Sequence, residues 1–149
     1  MAIPDYQTIM LPLLKFAHDE REHTTREAID HLAIEFSLTA DDRREMLPSG
    51  TVRLFDNRIG WASTYLRKAG LIESAGRGRF KITERGKKVL EQRPAAINIK
   101  FLDQFPEFLE FRRAKRNHDK REVKKISSPG EVNPEEALES AFLELKENL

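Results

Sequence analysis

Arg53, Asn57, Arg58, Thr64 and Lys68 lie within sixteen consecutive residues, and their side chains share one chemistry: each carries hydrogen-bond donors able to reach a base edge. An arginine fork matches the edge of guanine, an asparagine amide matches adenine, and a threonine hydroxyl serves either. Arg77, Arg79 and Lys81 come next, on a segment interrupted by Gly76 and Gly78. Cations there suit phosphate oxygens or a narrow minor groove, adding affinity more than sequence information. Lys87 and Lys88 extend the set as phosphate neighbours. Trp61, the single tryptophan, has two readings. One is cover for the core edge beside the first helix; the other is contact with a thymine or modified-base methyl, or stacking on an exposed base.

Catalytic chemistry has no comparable constellation. His18, His23, His31 and His118 show no metal-ligand spacing, and the carboxylates are scattered over helix surfaces. Ser127-Ser128-Pro129-Gly130 reads as linker, and Gly76-Arg77-Gly78 has neither the length nor the following helix of a phosphate-binding loop. No catalytic residue, metal site or cofactor is therefore expected in this chain.

The elements that must position the basic residues can be read from periodicity. A first helix is expected over about Asp5 to His18, bent at Pro12. Thr24-Thr25-Arg26-Glu27 reads as a capping box for a second helix carrying Ala28, Ile29, Leu32, Ala33 and Phe36 inward. A short third helix starts at Thr39 and ends by Leu47-Pro48-Ser49-Gly50. In a fourth, from about Arg53 to Ala69, Phe55, Ile59, Ala62, Leu66 and Ala69 fall within ~80° of one another at ~100° per residue, a buried seam. Arg53, Asn57, Gly60, Trp61, Thr64 and Lys68 then point away from it, with Arg58 and Tyr65 along one flank and Arg67 on the other. Gly70 stands where a left-handed residue would end the helix.

Leu71 to Ser74 and Arg79 to Ile82 read as two strands of a hairpin, its tip at Arg77 and Arg79. Thr83 caps a fifth helix in which Gly86 costs roughly 1 kcal/mol against alanine. A sixth is expected over about Lys100 to Arg116. The fold class is thus mainly α with a small β-hairpin, the winged form of helix-turn-helix with a C-terminal helical extension. Residues 1–116 form this domain and 117–133 a basic, polar linker. Residues 134–149 form a last helix with Leu138, Phe142, Leu145 and Leu149 in a stripe, open to packing on this domain, pairing with a copy of itself as a homodimer, or beginning another region.

The chain has 149 residues, no cysteine and a net charge of +1. There is no disulfide framework, and no stretch has the length of a membrane span or the pattern of a signal peptide. A cytoplasmic, nucleoid-associated location is expected, with no membrane partner. The small net charge conceals a pattern: residues 1–52 hold 5 Lys/Arg against 10 Asp/Glu, residues 53–93 hold 11 against 4, and residues 112–125 hold 8 against 2. The first basic block coincides with the fourth helix and hairpin. That placement favours double-stranded DNA as partner over a merely solvated face.

The runs MLPSGTVRLFDNRIGWASTYLRKAGLIES, FKITERGKKVLEQRP and IPDYQTIMLPLLKFA resemble the N-terminal domain of Mrr-type restriction endonucleases over about residues 1–110, the FDNRIGWA stretch from Phe55 to Ala62 being the most specific part. The resemblance implies a winged-helix DNA-binding module. It also implies a C-terminal Mg²⁺-dependent nuclease domain that cuts DNA bearing foreign methylation. Nothing after Glu131 is long enough for that nuclease and its Asp and Glu/Gln-x-Lys strand motif does not appear, so the chain resembles the targeting half of a type IV enzyme. Mg²⁺ is expected only for the absent domain. A free-standing winged-helix transcription regulator or a winged-helix protein-interaction module would use the same fold.

Overall fold

A computed structural model describes residues 3–48 and 50–119, the side chains of 114–119 excepted. The helix expected over 134–149 and the linker beyond Asp119 lie outside the described residues.

Asp5 opens α1 (Tyr6–Phe16), its carboxylate accepting the Thr8 amide at 2.7 Å. The helix continues through Pro12 and buries Tyr6, Ile9, Met10, Leu13 and Leu14, the stripe its spacing required. A 3₁₀ turn, Ala17–Asp19, leads to β1 (His23–Thr24) and α2 (Thr25–Glu35). Thr24 caps α2 by accepting the Glu27 amide at 3.0 Å. The Glu27 carboxylate also accepts from His23 Nδ1 at 3.1 Å. The full box occurs on α3 (Ala40–Arg44), where Thr39 and Asp42 exchange both bonds at 3.0 Å. The chain then doubles back through a bridge between Met46 and Arg53, and the Leu47 amide donates to the Val52 carbonyl at 2.9 Å.

That return delivers α4 (Leu54–Lys68). Phe55, Ile59, Ala62 and Leu66 are fully buried, and the helix packs chiefly on α1 with further contact to α2, α3 and α7. Its end is a Schellman motif around Gly70 at φ +81°: the Gly70 amide donates to the Arg67 carbonyl at 3.0 Å and the Leu71 amide to the Leu66 carbonyl at 2.9 Å.

β2 (Ile72–Gly76) and β3 (Arg79–Ile82) form the antiparallel wing, with Ile72 opposite Ile82, Glu73 opposite Lys81 and a bulge between Ser74 and Gly76. The sheet has a third strand that spacing did not reveal. β1 lies on the other side of β3, His23 opposite Phe80 and Thr24 opposite Arg79. The Thr25 amide donates to the Gly78 carbonyl at 3.0 Å, so the start of α2 holds the wing tip.

Thr83 caps α5 (Glu84–Glu91), accepting the Gly86 amide at 3.1 Å while its hydroxyl donates to the Gly70 carbonyl at 2.6 Å. Gly86, costly for the helix alone, is required by the packing. A Cβ there would run into the Leu71 carbonyl oxygen and lie 2.7 Å from Ile82 Cγ1.

The single helix expected over 100–116 is two, α6 (Ile99–Leu102) and α7 (Pro106–Asp119). Proline has no amide to continue a helix and biases Phe105 away from helical geometry, yet suits the first position of a new one. Arg112 clamps the elbow, its Nη1 reaching the two Asp103 oxygens at 2.7 and 2.6 Å. Phe108 is fully buried with its ring 5.6 Å from that of Tyr65, which seats α7 on α4. Three helices, a small antiparallel sheet and this helical extension make a mainly α winged helix.

Candidate nucleic-acid interface

α4 has three sides, and only one is open. The first is the seam from Phe55 to Leu66. The second carries Arg58, Trp61, Tyr65 and Lys68, and it is occupied from both ends. Arg58 Nη1 donates to the Ile3 and Pro4 carbonyls at 2.8 and 3.3 Å. The Trp61 and Tyr65 rings meet edge to face at 5.9 Å, and the Lys68 ammonium lies 5.4 Å from the centre of the Phe111 ring. What remains at ~100° per residue is a strip along Asp56, Gly60, Ser63 and Arg67, flanked by Arg53 and Thr64.

The structure therefore disperses the residues that spacing grouped together. Asn57, expected on an outward face, is buried at 8 % exposure, and no buried side-chain polar atom among the described residues lacks a partner. Its outward placement is corrected: α4 is covered on two sides rather than one, and Asn57 falls within the cover. Arg58 and Lys68 face the N-terminal segment and α7. Trp61 is half-buried and packs against the core. The Thr64 hydroxyl donates back to the Gly60 carbonyl at 3.0 Å. Arg53 is exposed where its backbone caps α4 without a side-chain bond. At 1.5 Å per residue it stands about 20 Å along the axis from Arg67.

Arg77 and Arg79 are exposed on the wing and share a groove with α4. Its walls are Ser63 and Arg67 on the helix, Thr25 at the start of α2, and Ser74, Arg77 and Arg79 on the wing. Ser63, Arg67 and Thr25 were not among the residues singled out by type and spacing. Apolar spacing puts Arg67 on a flank because it centres the outward face near Asn57, whereas the cover from α7 and the N-terminal segment leaves open a strip centred about 80° away. The basic run through Arg67 was the available signal; the cover was not.

The cations divide by what holds them. Lys81 pairs across the wing with Glu73 at 3.8 Å, Arg85 meets Glu107 at 2.8 Å, and Arg112 is bound to Asp103. Lys87 joins Glu20 and Glu84, whose hydrogen bonds raise its pKa. Lys88 is exposed. Arg53, Arg67, Arg77 and Arg79 have no carboxylate within ion-pair distance among the described residues.

Behind the wing, His23 sits between Asp19 at 2.8 Å and Glu27 at 3.1 Å, its ring 4.4 Å from that of Phe16. Burial lowers its pKa, but hydrogen bonds to the two carboxylates outweigh burial and the net shift is upward. Among the described residues no group of three or more His, Asp or Glu is placed to hold a metal ion, and no helix is long and apolar enough to cross a membrane.

Fold and groove together define a winged-helix module with a helical cover over one flank of its groove-facing helix. Residues 6–92 match the Mrr N-terminal domain, and the chain belongs to that family. It is 26% identical, over 162 aligned positions, to the type IV methyl-directed restriction enzyme EcoKMrr of Escherichia coli strain K12. The alignment takes in 99% of this chain and 50% of that protein, so the chain spans about half the length of its relative. No solved structure gives a significant match.

Proposed function

We propose that this chain is a DNA-targeting domain of an Mrr-type restriction system and directs cleavage to methylated double-stranded DNA. One observation carries the reading. Arg67, Arg77 and Arg79 surround a single polar groove with no acidic partner among the described residues, while Lys81, Arg85, Lys87 and Arg112 are all engaged within the chain. An arginine without an internal partner, on a surface otherwise rich in pairs, is available to phosphate or guanine. The methyl-directed restriction activity named for the relative supplies the substrate class. In this reading the Mg²⁺-dependent cutting chemistry belongs to a separate nuclease region, and these residues contribute positioning.

Within the groove, Arg77 and Arg79 serve phosphate or the minor groove, while Ser63 and Arg67 face the bases; Arg53, outside the groove at the far end of α4, meets the same duplex further along. Lys81 is the weaker contributor, because binding must first displace an exposed pair with Glu73. The test is affinity for matched duplexes, unmethylated or carrying methyl-adenine or methyl-cytosine, across a salt series. Affinity should fall steeply with salt, and Arg77→Ala should weaken every duplex alike while reducing the log-log salt slope by about one. Absence of binding to any duplex at low salt would reject DNA targeting and favour a protein-docking role. Binding that ignores methylation would favour a plain regulator.

A further inference from the structure

Gly60 lies in the middle of α4, where glycine costs helix stability, and no packing contact among the described residues accounts for it. Its φ is not in the left-handed region, unlike that of Gly70, so the backbone does not call for glycine. Nor does packing: beyond its chain neighbours and the backbone of its own helix, a Cβ at Gly60 would meet no atom within 4 Å among the described residues, whereas one at Gly86 would strike the Leu71 carbonyl. The glycine therefore leaves a notch on the open strip of α4, one turn from Ser63 and two from the groove arginine Arg67. Side chains on a helix lean toward its N-terminus, which brings Ser63 over the edge of the notch. On the neighbouring side the Thr64 hydroxyl is spent on the Gly60 carbonyl at 3.0 Å, which leaves bare Cα as the floor.

We infer that Gly60 is the point of closest approach of α4 to a base pair, and that its notch receives the 5-methyl group of a pyrimidine, thymine or 5-methylcytosine, in the major groove. This inference rests on the DNA-targeting reading above. A methyl fits a small, apolar floor better than it fits a polar side chain, and it is the one apolar group that base edges present in the major groove. Ser63 at the rim can donate to or accept from the same edge. The unpartnered arginines beside the strip supply the attraction that holds the duplex against it.

The experiment uses the full chain, with pools of random-sequence duplexes made with thymine or with uracil in its place, and with cytosine or 5-methylcytosine. Gly60→Ala should raise the melting temperature by about 2 to 5 °C, because it removes a mid-helix glycine from an uncrowded site. It should also weaken binding to the methyl-bearing pools by about tenfold or more, and affect the uracil and unmethylated-cytosine pool less. A stabilised protein that loses affinity cannot have lost it by unfolding. A lowered melting temperature would overturn the inference by revealing an internal packing need. Unchanged affinity on all pools would overturn it while leaving DNA targeting intact, and an equal loss on thymine and uracil pools would reject the methyl as occupant. If the unaltered chain binds none of the pools, the targeting reading itself falls and the notch falls with it.

Discussion

On one flank of α4, Arg58 donates to the Ile3 and Pro4 carbonyls and the Lys68 ammonium lies over Phe111. On the other, Arg67 opens onto the wing with no ion partner among the described residues. The two flanks are built from the same kinds of residue on one regular helix. What separates them is cover from both ends of the chain: the N-terminal segment takes Arg58, and α7 packs Phe108 and Phe111 against Tyr65, at ring distances of 5.6 and 5.7 Å, so that one flank is occupied within the protein. A helix face in a winged-helix fold is thus assigned by the helices C-terminal to the wing as much as by its own sequence. Here the addition leaves a narrow strip for an external partner.

The strongest way to break the contrast is to strip the cover. Phe108→Ala should cost about 3 to 5 kcal/mol of stability, as for other fully buried aromatics, and should raise the exposure of Trp61, visible as a red shift in its fluorescence. Should the melting temperature stay within a degree or two of the parent, α7 would not be part of the folded unit. Arg58→Ala is expected to cost less, about 1.5 to 3 kcal/mol, the usual worth of hydrogen bonds from a charged group; denaturant titration would read it directly.

Arg67→Ala tests the open flank, and it should move a different quantity. Stability should change by less than about 0.5 kcal/mol, while duplex affinity should drop by roughly tenfold, in line with loss of about 1 to 3 kcal/mol from a base contact. Lys68→Ala, one residue along, should leave affinity nearly untouched. Equal losses of affinity from both would erase the distinction between the flanks.

The smallest effect concerns His23, which anchors β1 beside the wing. Its folded pKa is raised, so its stabilising contribution is complete below about pH 6.5, the unfolded value, and fades as pH climbs through the folded one. Asp19 is shifted down by the Arg21 amide and by His23, and Glu27 by His23 first. Their contributions are present above about pH 4 to 4.5 and fade as pH falls through their folded values. The trio is therefore most stabilising between these limits. His23→Gln should flatten the decline in melting temperature on the alkaline side of that window; a wild-type curve already flat from pH 6 to 8 would deny the His23 part.

Much of the fold was legible because the relevant forces are local. The capping threonines Thr24, Thr39 and Thr83 sit where the helices start, and the buried faces of α1, α2 and α4 match their apolar spacing. The missed features are non-local or too short to have a period. β1 has two residues and exists only because β3 pairs with it. The break between α6 and α7 was encoded by Pro106, but a run of phenylalanines on both sides masked it. On α4, the residues with suitable hydrogen-bonding types were all visible. Their orientation was not, since a helical wheel shows which residues are neighbours but not which side a distant helix will cover. Asn57 shows the limit, ending at 8 % exposure on what spacing gave as an outer face.

The sequence by itself determined the first five helices, the wing, the basic block across 53–93 and the family resemblance, because capping, periodicity, turn chemistry and charge are properties of neighbouring residues. Only the tertiary structure decided which cations stay available, through the docking of α7 and the ion pairs to Glu73, Glu107 and Asp103. It also distinguished Gly86, against which another stretch of backbone packs, from Gly60, which faces open space. A residue's type sets the bonds it can make; the packing of segments remote in sequence sets whether those bonds are already made.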